Sequence, residues 1–266
     1  SYNIGLRRLS LYIPEYPVGT PAEIAVMVEG FLPVARIISG LKRLKIFSFG
    51  PRPQDFLACN APIKPLYDLG VEIMENSELD LYDIFLKAKD DPAIKLVKED
   101  MARGLGEGNT YPDLLEKLAQ YEVALTKFME EHLGASEFGV FANKCWPAFE
   151  SYFGFVPCYV NGRLAGRGIP AACEVDLFGA VSEFMVQLAG LTPATLLDIN
   201  NTVPPDILPR KIDLKGAAPG DLFMGFHCGN TCAAGMKNCA MNYQVIMNRL
   251  MEGGGEPDIT RGTLEG

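Results

Sequence analysis

Three side chains in this sequence stand where chemistry is done: Glu174, Asp198 and His227. Glu174 joins a glycine-rich approach at 166–170 to an apolar helix expected over 175–189. Asp198 lies near the end of an apolar strand expected over 195–199. His227 closes another at 222–226, and the one other histidine is His132. Carboxylates are rarely taken out of water unless they are paired or bound to a metal. Two carboxylates and one imidazole at the ends of buried elements can therefore converge on one divalent cation. Oxygen-rich ligation with a single imidazole suits Mn²⁺ better than a structural zinc.

Each residue also has a plainer reading. Glu174 serves equally well as a carboxylate against the amides of a helix N-terminus. Asp198, two residues before Asn200, can start a turn, and His227 can be an ordinary hydrogen-bonded histidine. A rival constellation is His227 with Cys228, Cys232 and Cys239, imidazole and thiolates that could hold zinc. It lacks a Cys-x-x-Cys pair, and Cys232 and Cys239 lie one heptad apart, a spacing that packs small apolar residues on one helix face. Lys144-Cys145-Trp146 invites a nucleophile reading, but a catalytic cysteine needs a base and no histidine is near in sequence. Trp146, the sole tryptophan, is either a core anchor or a platform for the apolar face of a sugar.

The elements that must position these groups are legible from period and punctuation. Thr20-Pro21-Ala22-Glu23 combines a Thr N-cap, a proline at the first helical position and a capping-box glutamate. The helix it opens runs toward Ile38, with Gly30 and Pro33 expected to bend or interrupt it. Residues 44–49 read as a buried strand ended by Gly50-Pro51, 71–74 as a second strand and 79–89 as a helix. The spacing of Leu114, Leu118, Tyr121, Leu125 and Phe128 predicts a helix over 113–133. A strand at 138–142 then delivers Asn143 to Pro147, and 159–164 reads as a turn. Strand and helix alternating through short connections is the pattern of a parallel α/β sheet. The fold class expected is thus an open parallel-sheet, Rossmann-like α/β domain followed by part of a second, mixed domain. Ligands in such sheets bind beyond the carboxyl ends of the strands.

Bulk properties bound the function. At 266 residues the chain can bury an ample core. A formal charge of −9 with no basic stripe argues against nucleic-acid binding. No uncharged 18-residue run is present, so no membrane span is expected, nor does the start look like a signal peptide. Seven cysteines, an odd number in a chain too large to need staples, favour reduced thiols and a cytoplasmic setting.

The stretches Phe141-Ala142-Asn143-Lys144-Cys145-Trp146-Pro147 and Gly168-Ile169-Pro170-Ala171-Ala172-Cys173-Glu174-Val175-Asp176 resemble the L-fucose and L-arabinose isomerase-like family. So do Leu196-Leu197-Asp198-Ile199-Asn200 and Phe226-His227-Cys228-Gly229-Asn230. The resemblance implies a three-domain enzyme, with 1–190 its second α/β domain and 191–266 the beginning of the C-terminal metal-site domain. It implies an intramolecular oxidoreductase that interconverts an aldose and a ketose through an enediol. Glu174 and Asp198 match the family's Mn²⁺-binding, acid–base carboxylates, and their separation (198 − 174 = 24 residues) agrees with its pattern. The family's third ligand is a histidine farther downstream; His227 is that ligand in a shortened arrangement, a second histidine near the site, or a substrate contact. Lys144, Trp146 and Asn200 are the expected sugar contacts. The partners implied are a small-molecule sugar and further copies of the chain in a trimer or hexamer, with the chain itself part of a longer protein. The competing reading is an α/β module that binds a sugar without turning it over.

Overall fold

Leu44, Ile46, Phe47 and Phe49 are all 0% exposed, so the strand carrying them must be covered on both faces. In the computed structural model, which describes residues 5–8, 13, 15–200, 203, 214–227, 230–232, 235, 236 and 239–241, that cover is complete. The chain runs α1 (Pro21–Leu41), β1 (Leu44–Phe49), α2 (Lys64–Asp68), β2 (Glu72–Asn76), α3 (Glu78–Lys87), α4 (Ala93–Leu105) and α5 (Leu115–His132). It continues through β3 (Phe138–Ala142), α6 (Phe149–Phe153), α7 (Cys158–Gly166), β4 (Ala171–Ala172), α8 (Leu177–Gly190), β5 (Asp198–Asn200) and β6 (Met224–Phe226).

Strands β2-β1-β3-β4 form one parallel sheet, the open α/β architecture read from the sequence, and β5 pairs antiparallel with β6 in a separate two-stranded sheet. Strand alternation sorts the core into two layers. Phe47, Phe49 and Phe141 face α3, α4 and α5 through Leu81, Phe85, Met101, Tyr121 and Phe128. Leu44, Ile46, Val140, Ala142 and Ala172 face α8 through Leu177, Ala180, Val181 and Phe184. The first layer is aromatic: Phe85, Tyr121, Phe149, Phe153 and Phe155 pack with centroids between 4.0 and 6.5 Å apart. Such pairs each add about 0.5–1.5 kcal/mol beyond the area they bury. Because β2 lies on one side of β1 and β3 on the other, the order in which strands are added reverses between β1 and β3, and in open α/β sheets it is beyond the carboxyl ends at such a point that ligands bind.

Three local expectations change. Residues 158–166 form α7 instead of a turn: the Asn161 amide is engaged with Asn143, and a Cβ at Gly162 would lie 2.4 Å from the Thr231 carbonyl oxygen. Tertiary contacts thus consume the residues whose local chemistry suggested a turn. Helix α8 starts two residues later than expected and is buried on one side only, since Val186 is 57% exposed while Glu183 and Gln187 are buried.

Helix α1 is unbroken through Gly30 and Pro33 and keeps its capping box, with Glu23 accepting from the Thr20 N–H at 2.7 Å. Its C-terminal part rests on α8, whereas residues 21–32 are exposed. With a mean hydropathy of 1.7 over its best window, α1 is, among the described residues, the one helix long and apolar enough to cross a membrane by length and composition. The other apolar helix, α8, is shorter.

Arg36 joins the two helices. Its Nε and Nη2 donate to the carbonyls of Leu188 and Ala189, both at 2.7 Å, and so satisfy acceptors that the end of α8 leaves open. Arg36→Ala is expected to lower stability by about 2 kcal/mol, read as a lower urea midpoint at unchanged slope; an unchanged midpoint would remove the tie from this account.

Candidate metal centre

The site begins where β3 ends. Asn143 is fully buried, and nothing polar on it is wasted. Its N–H donates to Ala172 O at 3.0 Å and its carbonyl accepts from Val175 N–H at 2.9 Å. Its side chain exchanges hydrogen bonds with Asn161 at 2.9 and 3.1 Å and donates to the Tyr121 hydroxyl at 3.2 Å. These bonds hold the exit of β4 against β3. Between that exit and α8 the backbone turns through Glu174 (φ 56°) and Val175 (φ 50°), both in the left-handed region. Such a conformation costs of order 1–3 kcal/mol for each non-glycine residue and is least tolerable for a β-branched one. Val175 is buried, and Asp176 closes the turn as N-cap of α8, accepting from Gly179 N–H at 2.9 Å.

The turn brings Glu174 to Cys173 and His227. One ligand-type atom from each lies within 4.8 Å of the others. Cys173 is buried; Glu174 and His227 are half-buried. Asp198, at the start of β5 opposite Phe226, is exposed and lies outside that triplet, but it is near enough to act on two of its members. Burial first, then the charges of Asp198 and Asp176, push the Glu174 carboxyl up to about 7. Burial lowers His227, and Asp198 opposes that. The donors present fit a divalent cation: carboxylates crowd one another in a partly dry place, the situation a bound cation relieves. Sequence reading did not include Cys173. Its position beside Glu174 was the available signal, hidden because a cysteine between alanine and glutamate reads as a small core residue.

Lys144 and Trp146 lie at the same edge of the sheet, on the β1 side. The Lys144 ammonium, 6% exposed, donates to Pro51 O at 3.2 Å and sits 3.7 Å from Glu78. The Trp146 indole donates to Asp55 at 3.2 Å and meets Phe56 edge-on. Asn200 ends β5 opposite Met224. Cys145 is buried. Cys59, buried on the loop after β1, is pushed up to about 12 by burial and by Asp176, Glu174 and Asp198, which keeps it a thiol. Cys228 falls outside the described residues, as do several positions of the helix expected around Cys232 and Cys239.

Two contacts set where Asp198 arrives. The buried Glu183 carboxylate on α8 accepts the Leu196 N–H, and Gly179 admits the Leu196 side chain where a Cβ would come within 2.6 Å of it.

No known protein-family pattern matches the chain. It is 27% identical over 199 residues to a sulfoquinovose isomerase of Clostridium sp. (strain MSTE9), a stretch covering 71% of this chain and 43% of that protein. It is 27% identical over 173 residues to a sulfoquinovose isomerase of Alkalicoccus urumqiensis, covering 63% and 38%. A third, from Priestia megaterium, is 28% identical over 162 residues, covering 59% and 34%. The chain thus spans less than half the length of these curated relatives. They carry the name of a sugar isomerase, which agrees with the sugar-isomerase resemblance of the motifs and differs from fucose and arabinose in the sugar named.

Burial raises Glu183 from the ordinary 4.5 to about 7, ahead of the smaller opposing effect of the Leu196 hydrogen bond. The folded chain then holds this proton at pH values where the unfolded chain has released it. The stability this gives is present in full below pH 4.5 and is lost as pH rises through about 7, a fall of roughly 3 kcal/mol. Glu183→Gln is expected to flatten that part of the stability–pH curve in denaturant titrations at stepped pH; a variant curve parallel to the parent's would contradict it.

Proposed function

We propose that this chain is the metal-site part of an aldose–ketose isomerase. The observation that carries the reading is the half-buried Glu174 carboxylate, turned into the site by a left-handed backbone with Asp198 close enough to raise it. It is supported by the sugar-isomerase relatives. Interconverting an aldose and a ketose moves a proton between adjacent carbons while a hydroxyl proton moves between their oxygens. A divalent cation, for which we propose Mn²⁺, supplies charge stabilisation to the two neighbouring sugar oxygens when bound. Glu174 and Asp198 would hold it, and they share the proton work: one carboxylate takes the carbon-bound proton and returns it to the neighbouring carbon, and the other carries the hydroxyl proton.

The substrate class we propose is the one the relatives' name gives, a sugar bearing a sulfonate. Lys144 is the buried cation at the same sheet edge, and Trp146 and Asn200 are the further sugar contacts proposed. Assembly into a homo-oligomer and a reducing cytoplasmic setting belong to the same proposal, the latter in keeping with six described cysteines that form no disulfide among the described residues.

The test is exchange of the sugar's C2 hydrogen with solvent, followed in deuterated buffer with Mn²⁺ and the longer protein of which such a site is part. Glu174→Gln is expected to slow exchange by roughly 10²–10⁴-fold, and Asp198→Asn to slow it as well. Exchange undiminished in Glu174→Gln removes the carboxylate from the reaction.

A further inference from the structure

His227 reads from sequence as a metal ligand, a second histidine near the site or a substrate contact, and its hydrogen bonding points away from the first of these. The Asn230 backbone N–H donates to His227 Nδ1 at 3.1 Å. A backbone amide can only donate, so Nδ1 offers its lone pair, and a neutral imidazole that accepts at Nδ1 carries its proton on Nε2. The amide's direction is fixed. Asn230 is 7% exposed, and its side chain donates to Ala171 O at 2.6 Å, on the strand that delivers Cys173 and Glu174.

We propose that Asn230 locks His227 as the Nε2–H tautomer, making it a hydrogen-bond donor to the reacting sugar and not a ligand of the cation. Ligation through Nε2 would need that nitrogen's lone pair, and the displaced proton would move to Nδ1, where it meets the Asn230 N–H head-on. Metal-binding histidines have the reverse arrangement, with the second ring nitrogen donating to a carbonyl or carboxylate. One ring nitrogen of His227 lies within 4.8 Å of a Glu174 oxygen, so a ring that donates there serves the oxygen that gains charge while the carboxylate holds the neighbouring carbon's proton. Asn230 is then a positioning residue. The identity of the acceptor rests on the isomerase reading; the tautomer does not.

The chain contains its own reference. His132 places Nδ1 2.8 Å from the Phe128 carbonyl, so there Nδ1 must donate, and the two histidines of the chain are expected in opposite tautomers. Nitrogen-15 histidine labelling of the full chain, read by long-range proton–nitrogen spectra above the titration of both rings, distinguishes them. The expected result is a protonated Nε2 at His227 and a protonated Nδ1 at His132, with His227 unchanged when Mg²⁺ is added. Asn230→Ala, which frees the loop from Ala171, is expected to mix the His227 tautomers. His227→Ala is expected to bind Mn²⁺ within about twofold of the parent, where removing a true ligand weakens binding by roughly a hundredfold or more. His227→Gln, whose amide still donates, is expected to regain part of the exchange that His227→Ala loses. A protonated Nδ1 at His227, or collapse of Mn²⁺ affinity in His227→Ala, overturns the proposal. Because spectra and affinity are read without sugar, this result is independent of whether Glu174 moves a proton.

Discussion

Like charges meeting where water is scarce is the constraint around which this part of the molecule is arranged. Glu122 shows how the fold ordinarily treats a dry carboxylate: at 1% exposure it accepts from Arg163 at 2.8 Å and from Arg167 at 2.7 Å. Glu174 is treated in the opposite way, with Asp176 and Asp198 raising it and no guanidinium among the causes that act on it. The first arrangement neutralises a charge within the fold. The second leaves a negative field that a cation from solution can answer.

Holding that arrangement consumes stability supplied elsewhere. Two consecutive left-handed residues, one of them valine, persist because their neighbours over-determine them. The Val175 N–H is committed to Asn143, Asp176 to the first turn of α8, and Asn143 to a side-chain pair reaching back through Asn161 to α7. The aromatic layer under α5 supplies Tyr121 both as a core residue and as a partner to Asn143. The core and the site therefore share atoms, and a change in either is felt in both.

Much of the scaffold was written in period and punctuation. The Thr20 capping box, the buried strand at Leu44, the long α5 helix and the strand at Phe138 are each set by local pattern, and the parallel sheet follows from their order. Helix α4 also carried a readable signal, with Ile94, Val97, Met101 and Leu105 at spacings of three and four, obscured by the charged residues among them. Helix α7 could not be read locally, because Asn161 and Gly162 earn their helical places from Asn143 and Thr231, distant in sequence. At the site, the prominence of Glu174, Asp198 and His227 was visible from their positions at element ends. What was invisible was geometry: that Cys173 joins Glu174 and His227 in a compact triplet outside which Asp198 stands, and that a backbone amide three residues on decides which nitrogen of His227 bears the proton.

Gly179 carries the last consequence. A single added carbon there would lie 2.4 Å from the Asp176 carboxylate and 2.6 Å from Leu196, so the capping carboxylate and the segment leading to β5 close on one point of α8 with no slack. Sequence drift at this position is coupled to Asp198 through two residues of chain rather than through any direct contact. A lineage that kept both acidic residues but exchanged this glycine would retain the ingredients of the centre while losing its spacing.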